Sequence, residues 1–297
     1  MIQKLRELIN DPGFRKYLAN TTWVFGDRVL RILAALVVGV WVTRYLGPTD
    51  FGVFSYAQSF VAIFLSFSTL GLNKILVREL VKTPSEENRL LGTTFVLQSI
   101  GSIVLFLFLI IGIILSENDS LTNTIIILFA SVTFLQSFSV IDLYFQSIVK
   151  SKLTVFINVS GLIISSIIKI ALILFEAPLL AFVLVVVFDS LYLAAGLILL
   201  YSKGKKSVLG WKFSKSLAIS LLKDSWPLIL SGIIVSIYMK VDQVMIKEFM
   251  DNNAVGLYAA AARLSEAWYF IPTVISASLY PAIVNAKKRD ENLYYKR

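Results

Sequence analysis

The chain has 297 residues, of which 57% are hydrophobic and 16% charged, with a formal net charge of +9. A soluble globular chain is about 45–50% apolar and about 25% charged, so a soluble enzyme, a nucleic-acid-binding domain and a disordered chain are excluded. The absence of Cys and His removes disulfides, thiolate nucleophiles, Cys/His zinc sites, Ser-His-Asp triads and a proton-coupling histidine. No metal and no cofactor is called for.

The apolar residues lie in long runs. Residues 51–73, 90–116 and 120–141 carry no charge over 23, 27 and 22 positions, and a bilayer core needs roughly 20. The first twenty residues are mostly polar or charged, with neither an apolar signal core nor an A-x-A site, so no cleaved leader is expected. Eight spans follow in chain order: 20–46, 51–72, 90–115, 121–148, 153–175, 178–201, 224–249 and 255–286. Barrel strands would be about 10 residues of alternating polarity; these runs are continuous and longer. The fold class is therefore all-α, a polytopic integral membrane protein. Most connections are short, and the segments 73–89 and 202–223 are the longer ones.

Charge sorts by connection. The N-terminus (Lys4, Arg6, Arg15, Lys16), the segments around Lys74–Arg89, Lys150–Lys152 and Lys203–Lys223, and the tail (Lys287, Lys288, Arg289, Lys296, Arg297) hold 21 of the 28 basic residues. The alternate connections hold Asp50, Glu117, Asp119, Glu176, Glu248 and Asp251, with Arg44 and Lys247 at their edges. Basic loops mark the cytoplasmic side, so both ends of the chain are expected in the cytoplasm of an inner membrane protein, with the lysine-rich loops touching anionic lipid. No exterior connection exceeds about ten residues, which leaves no room for a catalytic loop there and speaks against an enzyme.

The first hairpin has local punctuation. Gly47-Pro48 closes it, Asp50 is placed to cap the second span, and Gly52 allows close helix approach. Trp23, Trp41, Trp226 and Trp268 sit near span ends, as in an interfacial aromatic belt. Pro272 within the eighth span is expected to kink it.

The first hairpin also recurs. Thr49-Asp50-Phe51-Gly52-Val53-Phe54-Ser55-Tyr56-Ala57 matches Asn253-Ala254-Val255-Gly256-Leu257-Tyr258-Ala259-Ala260-Ala261 at Gly52/Gly256, Phe54/Tyr258 and Ala57/Ala261, an offset of 204. The copies are displaced by six spans, an even number, which makes the repeats parallel, a transporter plan with the substrate site between halves. The expected organisation is a six-helix bundle over 1–201, a basic cytoplasmic linker over 202–223, and the first two helices of a second bundle over 224–297. By the same repeat the natural reading frame is expected to continue for about four more spans.

Tyr45-Leu46-Gly47-Pro48-Thr49-Asp50-Phe51-Gly52, continued by Val53–Ala57 and by Gly71-Leu72 and Val77-Arg78-Glu79, resembles the opening of polysaccharide-biosynthesis flippases, the O-antigen-type translocases of the multidrug/oligosaccharidyl-lipid/polysaccharide superfamily. The resemblance implies two six-helix bundles around a central cavity, and an undecaprenyl-diphosphate-linked oligosaccharide moving between leaflets. Polysaccharide polymerase and glycosyltransferase partners would follow. A small-molecule antiporter of the same fold is the alternative.

Ten charged residues fall within spans: Asp27, Arg28, Arg31, Asp142, Lys169, Asp189, Lys240, Asp242, Arg263 and Glu266. Each is expensive in lipid. As packing ion pairs they would match Asp27 with Arg31, Lys169 with Asp189, Asp242 with Arg263, and Asp142 with Arg28, by depth and spacing. As a hydrated cavity they would supply Arg28, Arg31, Lys240 and Arg263 to a diphosphate, and Asp27, Asp142, Asp189 and Asp242 to ion coupling. Arg28, helped by Arg31, is the expected diphosphate ligand.

Overall fold

A computed structural model describes residues 12–269, Lys205 excepted, with side chains from Asn20 onward except Ala267. Pro272 and the rest of the eighth predicted span lie outside the described residues, as do the side chains of the basic N-terminus and tail. The described residues form helices joined by turns, with no strand among them.

The helix Pro12–Thr69 is interrupted at Gly47; we call its parts α1 (12–46) and α2 (48–69). There follow α3 (Leu72–Lys82), α4 (Glu87–Leu115), α5 (Ser120–Gln136), α6 (Val140–Ser147), α7 (Ser151–Leu174), α8 (Leu179–Lys203), α9 (Lys215–Phe249) and α10 (Asn252–Glu266). In lipid every backbone polar group must be satisfied within the segment, which favours helix wherever the apolar runs lie. Six helical stretches are long and apolar enough to cross a bilayer. The first of them folds back on itself at Gly47, whose φ of 68° suits a residue without a Cβ, and Pro48 then starts α2 with a pre-set φ. The reversal is visible in the packing, because Arg31 and Gln58 line the same cavity, whereas an unbroken helix would hold them about 40 Å apart. These stretches therefore supply seven spans, and α10 falls in the predicted eighth.

Several elements depart from the sequence reading. The segment 73–89 is not a loop: α3 occupies most of it, with Leu72, Ile75, Leu76 and Leu80 buried and Lys74 and Arg78 on the other side. An amphipathic stripe at this spacing makes a surface helix; too short and charged to span, it was hidden among loop residues. The fourth span runs as one helical stretch over Ser120–Ser147, tightened to a 3-10 turn at Ser137–Ser139 between α5 and α6. The seventh span begins at Lys215, so part of the expected linker is helix. Asp50 is exposed and makes no hydrogen bond among the described residues; it is not the cap of α2, and Pro48 needs none at that first position.

One face of the bundle carries the turns at Gly47, Ser116–Asp119, Glu176–Pro178 and Met250–Asp251; call it the turn face. The opposite, linker face carries α3, the Val149–Lys150 turn and the α8–α9 connection. Between them, Val53, Tyr56, Ala57, Val61, Leu105, Leu109, Ile125, Ile126 and Val183 form the main core. On the linker face Asn20 reaches across to α7: its side chain accepts from the Ser151 amide at 2.8 Å and donates to the Ser151 hydroxyl at 3.2 Å, satisfying an orphan donor of that helix N-terminus.

The α8–α9 connection is strapped down. Lys206 Nζ donates to Glu87 Oε1 at 2.6 Å and to the Tyr144 hydroxyl at 2.8 Å. The Tyr201 hydroxyl donates to Glu87 at 3.0 Å, and Trp211 Nε1 donates to that hydroxyl at 3.3 Å. The Lys212 amide bonds the Asn88 carbonyl at 3.1 Å. Partial burial pushes the Lys206 ammonium down, but the bonds to Glu87 and Tyr144 outweigh it and hold it above the ordinary lysine value. Its contribution to stability is therefore fully present below about pH 10.5 and is lost only as pH rises through the folded value. Glu87→Ala should cost about 1–3 kcal/mol, because it orphans a half-buried ammonium and a phenol. Lys206→Met should cost less, since Tyr201 still satisfies Glu87. The unfolding temperatures of the two purified variants check this order, and equal losses would contradict it.

Candidate functional site

The repeat sets the geometry of the site. Ideal Cβ atoms added to Gly52 and Gly256 would lie 1.7 Å from the Asn252 carbonyl oxygen and 1.9 Å from the Pro48 carbonyl oxygen, respectively. Pro48 and Asn252 are themselves 204 apart, so the contact is reciprocal, as across a two-fold axis. The two copies of the motif thus meet at the turn face, and only glycine at both positions lets the backbones touch. From there α2 and α9 run side by side: Ser59 Oγ donates to Gln243 Oε1 at 2.9 Å, Ser66 and Ser236 hydroxyls lie 3.3 Å apart, and a Cβ on Gly71 would meet Leu228 Cβ at 2.7 Å. Small and hydroxyl residues are what lipid-embedded helices use to approach closely.

Beside this seam lies a cavity of about 340 Å³ between α1, α2, α7, α8 and α10. Among the described residues its charged lining is Arg31, Lys169 and Arg263, with no carboxylate; Gln58 and Ser166 add neutral polar groups. Two of the cations are held from behind. Arg31 Nε bonds Asp27 at 3.1 Å, and Lys169 Nζ lies 3.7 Å from Asp189. Arg263 has no carboxylate within 4.0 Å among the described residues; it lies over the Phe51 ring at 5.1 Å, a contact worth about 0.5–2 kcal/mol. A second, smaller polar cavity of about 40 Å³ adjoins the first, sharing Phe51, Gln58 and Arg263 and adding Lys240, Gln243 and Glu266.

The predicted site residues are therefore partly gathered. Arg31 and Arg263 line the main cavity, and Lys240 lines the small one, paired with Glu266 at 3.3 Å. Arg28 does neither: it is exposed on α1, and Arg31, one turn on, takes the place expected for it. The pairs Asp27–Arg31 and Lys169–Asp189 form as expected. Asp242 does not pair with Arg263; it accepts from the Tyr258 hydroxyl and from the Gln243 amide, because α10 turns Tyr258 toward it and aims Arg263 at Phe51. Asp142 does not pair with Arg28. The charges that bear on it are those of Asp27 and Arg31, and it lines a separate pocket of about 170 Å³ with Gln136, Ser139, Asn158 and Ser190. Depth arithmetic ignored the azimuth of each side chain, which decides partners. Lys169 was counted in the sequence as a pairing residue, yet it faces the cavity. Gln58 and Gln243, amides inside membrane spans, were the signal that sequence reading passed over. Trp23, Trp41, Trp226 and Trp268 are all exposed.

This arrangement presents guanidinium and ammonium groups to the cavity, while the carboxylates paired with Arg31 and Lys169 stay behind them and Arg263 has none among the described residues. It suits a ligand that brings its own negative charge. No curated protein and no solved structure matches the chain. The family model described as polysaccharide biosynthesis protein matches residues 17–287, nearly the whole of the described helices. With its multiple membrane-crossing helices, the chain is a multi-pass membrane protein, and it belongs to the polysaccharide biosynthesis protein family.

Proposed function

We propose that the protein is a flippase that translocates an undecaprenyl-diphosphate-linked oligosaccharide across the inner membrane by alternating access, and that it is a transporter rather than an enzyme. The observation that supports this is the cavity lined, among the described residues, by Arg31, Lys169 and Arg263 and by no carboxylate. A diphosphate head would meet three half-buried cations, of which Arg263 has no carboxylate partner among the described residues, and Arg forks match its oxygens. A small-molecule cation antiporter, the alternative, would want carboxylates on the cavity wall, and here they stand behind it. Polymerase and glycosyltransferase partners would act on either side of the step, supplying and consuming the lipid-linked unit.

In this reading the linker face is cytoplasmic, because the basic connections lie on it. The chain has no cysteine, so single introduced cysteines label cleanly. Ser207→Cys, exposed on the linker, should resist an impermeant maleimide in intact cells, and Glu117→Cys, exposed on the turn face, should react. The reverse pattern would overturn the orientation. For the function itself, cells lacking the native gene and carrying the intact protein with Arg263→Ala should fail to export the polysaccharide, while protein abundance stays within about twofold. Normal export by this variant would remove the cavity from the transport path.

A further inference from the structure

The cationic cavity has an apolar groove on its other side. Leu30, Leu33, Ala34 and Val37 of α1 face Val159, Leu162, Ile163, Ser166, Ile167 and Ile170 of α7 across a space of about 370 Å³. Ala34, Leu162 and Ser166 line both this groove and the cavity, so the partition between them is one side chain thick, and two of its three members are small. Ser166 turns its hydroxyl to the Leu162 carbonyl of its own helix at 2.6 Å, which leaves the groove wall effectively apolar. Ile170 continues the surface into a further space of about 490 Å³ near the turn face, lined by Trp41, Arg44, Tyr45, Ile173 and Leu174. From Leu30 to Arg44 the α1 side of this track runs about 21 Å, some two thirds of a hydrocarbon core of about 30 Å.

We propose that this α1–α7 groove is the track for the isoprenoid chain of the substrate. It rests on the flippase reading above. A diphosphate lipid is one molecule with two demands: its head must meet cations out of the lipid, and its tail must stay in an apolar medium. Here three cations and an apolar groove share one thin wall, and the wall is thinnest at Ala34 and Ser166. The head sits against Arg31, Lys169 and Arg263, and the chain passes between Ala34 and Ser166 to lie along Leu33, Val37, Ile163 and Ile167. These four are exposed to the surroundings, so the chain enters sideways from the bilayer without crossing the bundle. Charge complementarity at the head selects this occupant over a neutral lipid.

Photo-crosslinking tests the track. The probe is tritiated undecaprenyl diphosphate in phosphatidylcholine vesicles holding the purified intact protein, with a benzoylphenylalanine in place of Val37 or Ile163. Leu107, equally exposed on α4, carries the photo-label in the control. Labelling at Val37 and Ile163 should exceed that at Leu107 at least tenfold, and should fall to the control level when Lys169→Ala and Arg263→Ala are added. Equal labelling at all three positions, or labelling that survives loss of the cations, overturns the track. Methylenediphosphonate, which has no tail, separates the two ideas. If it binds the protein in a manner that needs Arg263 and groove labelling is absent, the groove fails and the head site stands. If it shows no binding that needs Arg263, both fail.

Discussion

Replacing Gly52 or Gly256 by alanine should each destabilise the protein by about 3 kcal/mol or more, and the double replacement should cost little beyond either alone. A Cβ at Gly52 would sit 1.7 Å from the Asn252 carbonyl oxygen, and one at Gly256 would sit 1.9 Å from that of Pro48. Overpacking against side chains costs typically 1–3 kcal/mol because rotamers give way. Backbone carbonyls in two helices do not, so the helices themselves must part. Once one methyl has parted them, the second finds room, and coupling between contacting sites of this kind is the expected non-additivity. Thermal unfolding of the three purified variants measures it; strict additivity would show that the two contacts are independent. The same contact holds the turn-face ends of α2 and α10 together. If those ends separate during transport, a destabilisation of about 3 kcal/mol shifts that equilibrium roughly 150-fold. A cysteine at Thr49 or Asn253 in the otherwise cysteine-free protein should then react faster with an impermeant maleimide in the alanine variants.

Arg263→Ala should weaken binding of undecaprenyl diphosphate by about 10- to 150-fold, the loss expected for a charge-assisted hydrogen bond of about 1.5–3 kcal/mol. Arg263→Lys should recover part of this as a point charge without the fork. Arg28→Ala should change it less than threefold, since Arg28 lines neither cavity. The contrast with Lys240 separates a ligand role from a packing role. Arg263 is not ion-paired among the described residues, so its removal orphans no carboxylate and protein level should hold. Lys240 bonds Glu266 at 3.3 Å. Lys240→Ala should therefore lower protein level by leaving Glu266 uncompensated, and Lys240→Ala with Glu266→Ala should restore it. Binding to the purified variants in detergent, alongside membrane abundance, reads both effects. Loss of abundance in Arg263→Ala, with normal binding by what remains, would assign Arg263 to packing.

How far these residues were legible differs from case to case. Arg31 and Arg263 were visible as intramembrane cations because their cost in lipid demands a use. The sequence favoured Arg28 over Arg31, since Asp27 can neutralise Arg31, and only the direction of packing shows that Arg31 lines the cavity and Arg28 does not. The pairs Asp27–Arg31 and Lys169–Asp189 were legible because one is fixed by helical spacing and the other by a short hairpin. Asp242 and Arg263 also share a hairpin, but α10 is rotated so that Tyr258 and not Arg263 meets the carboxylate.

The sequence by itself determined the class of molecule, the hydrophobic spans and the charge asymmetry of their connections. Each depends on local quantities, the apolar length needed to cross a bilayer and the cost of moving a lysine through it. It also determined that 48–52 and 252–256 are equivalent positions, since the glycines stand at a fixed offset. What the tertiary structure decided is what those positions do. That Gly52 rests on Asn252 while Gly256 rests on Pro48, that α3 is a helix on the linker face, that Asp50 makes no hydrogen bond among the described residues, and that three cations face one cavity, two of them with a carboxylate behind, all follow from helix rotation and crossing. Those angles are fixed by interdigitating side chains from segments up to two hundred residues apart, and no single segment carries them.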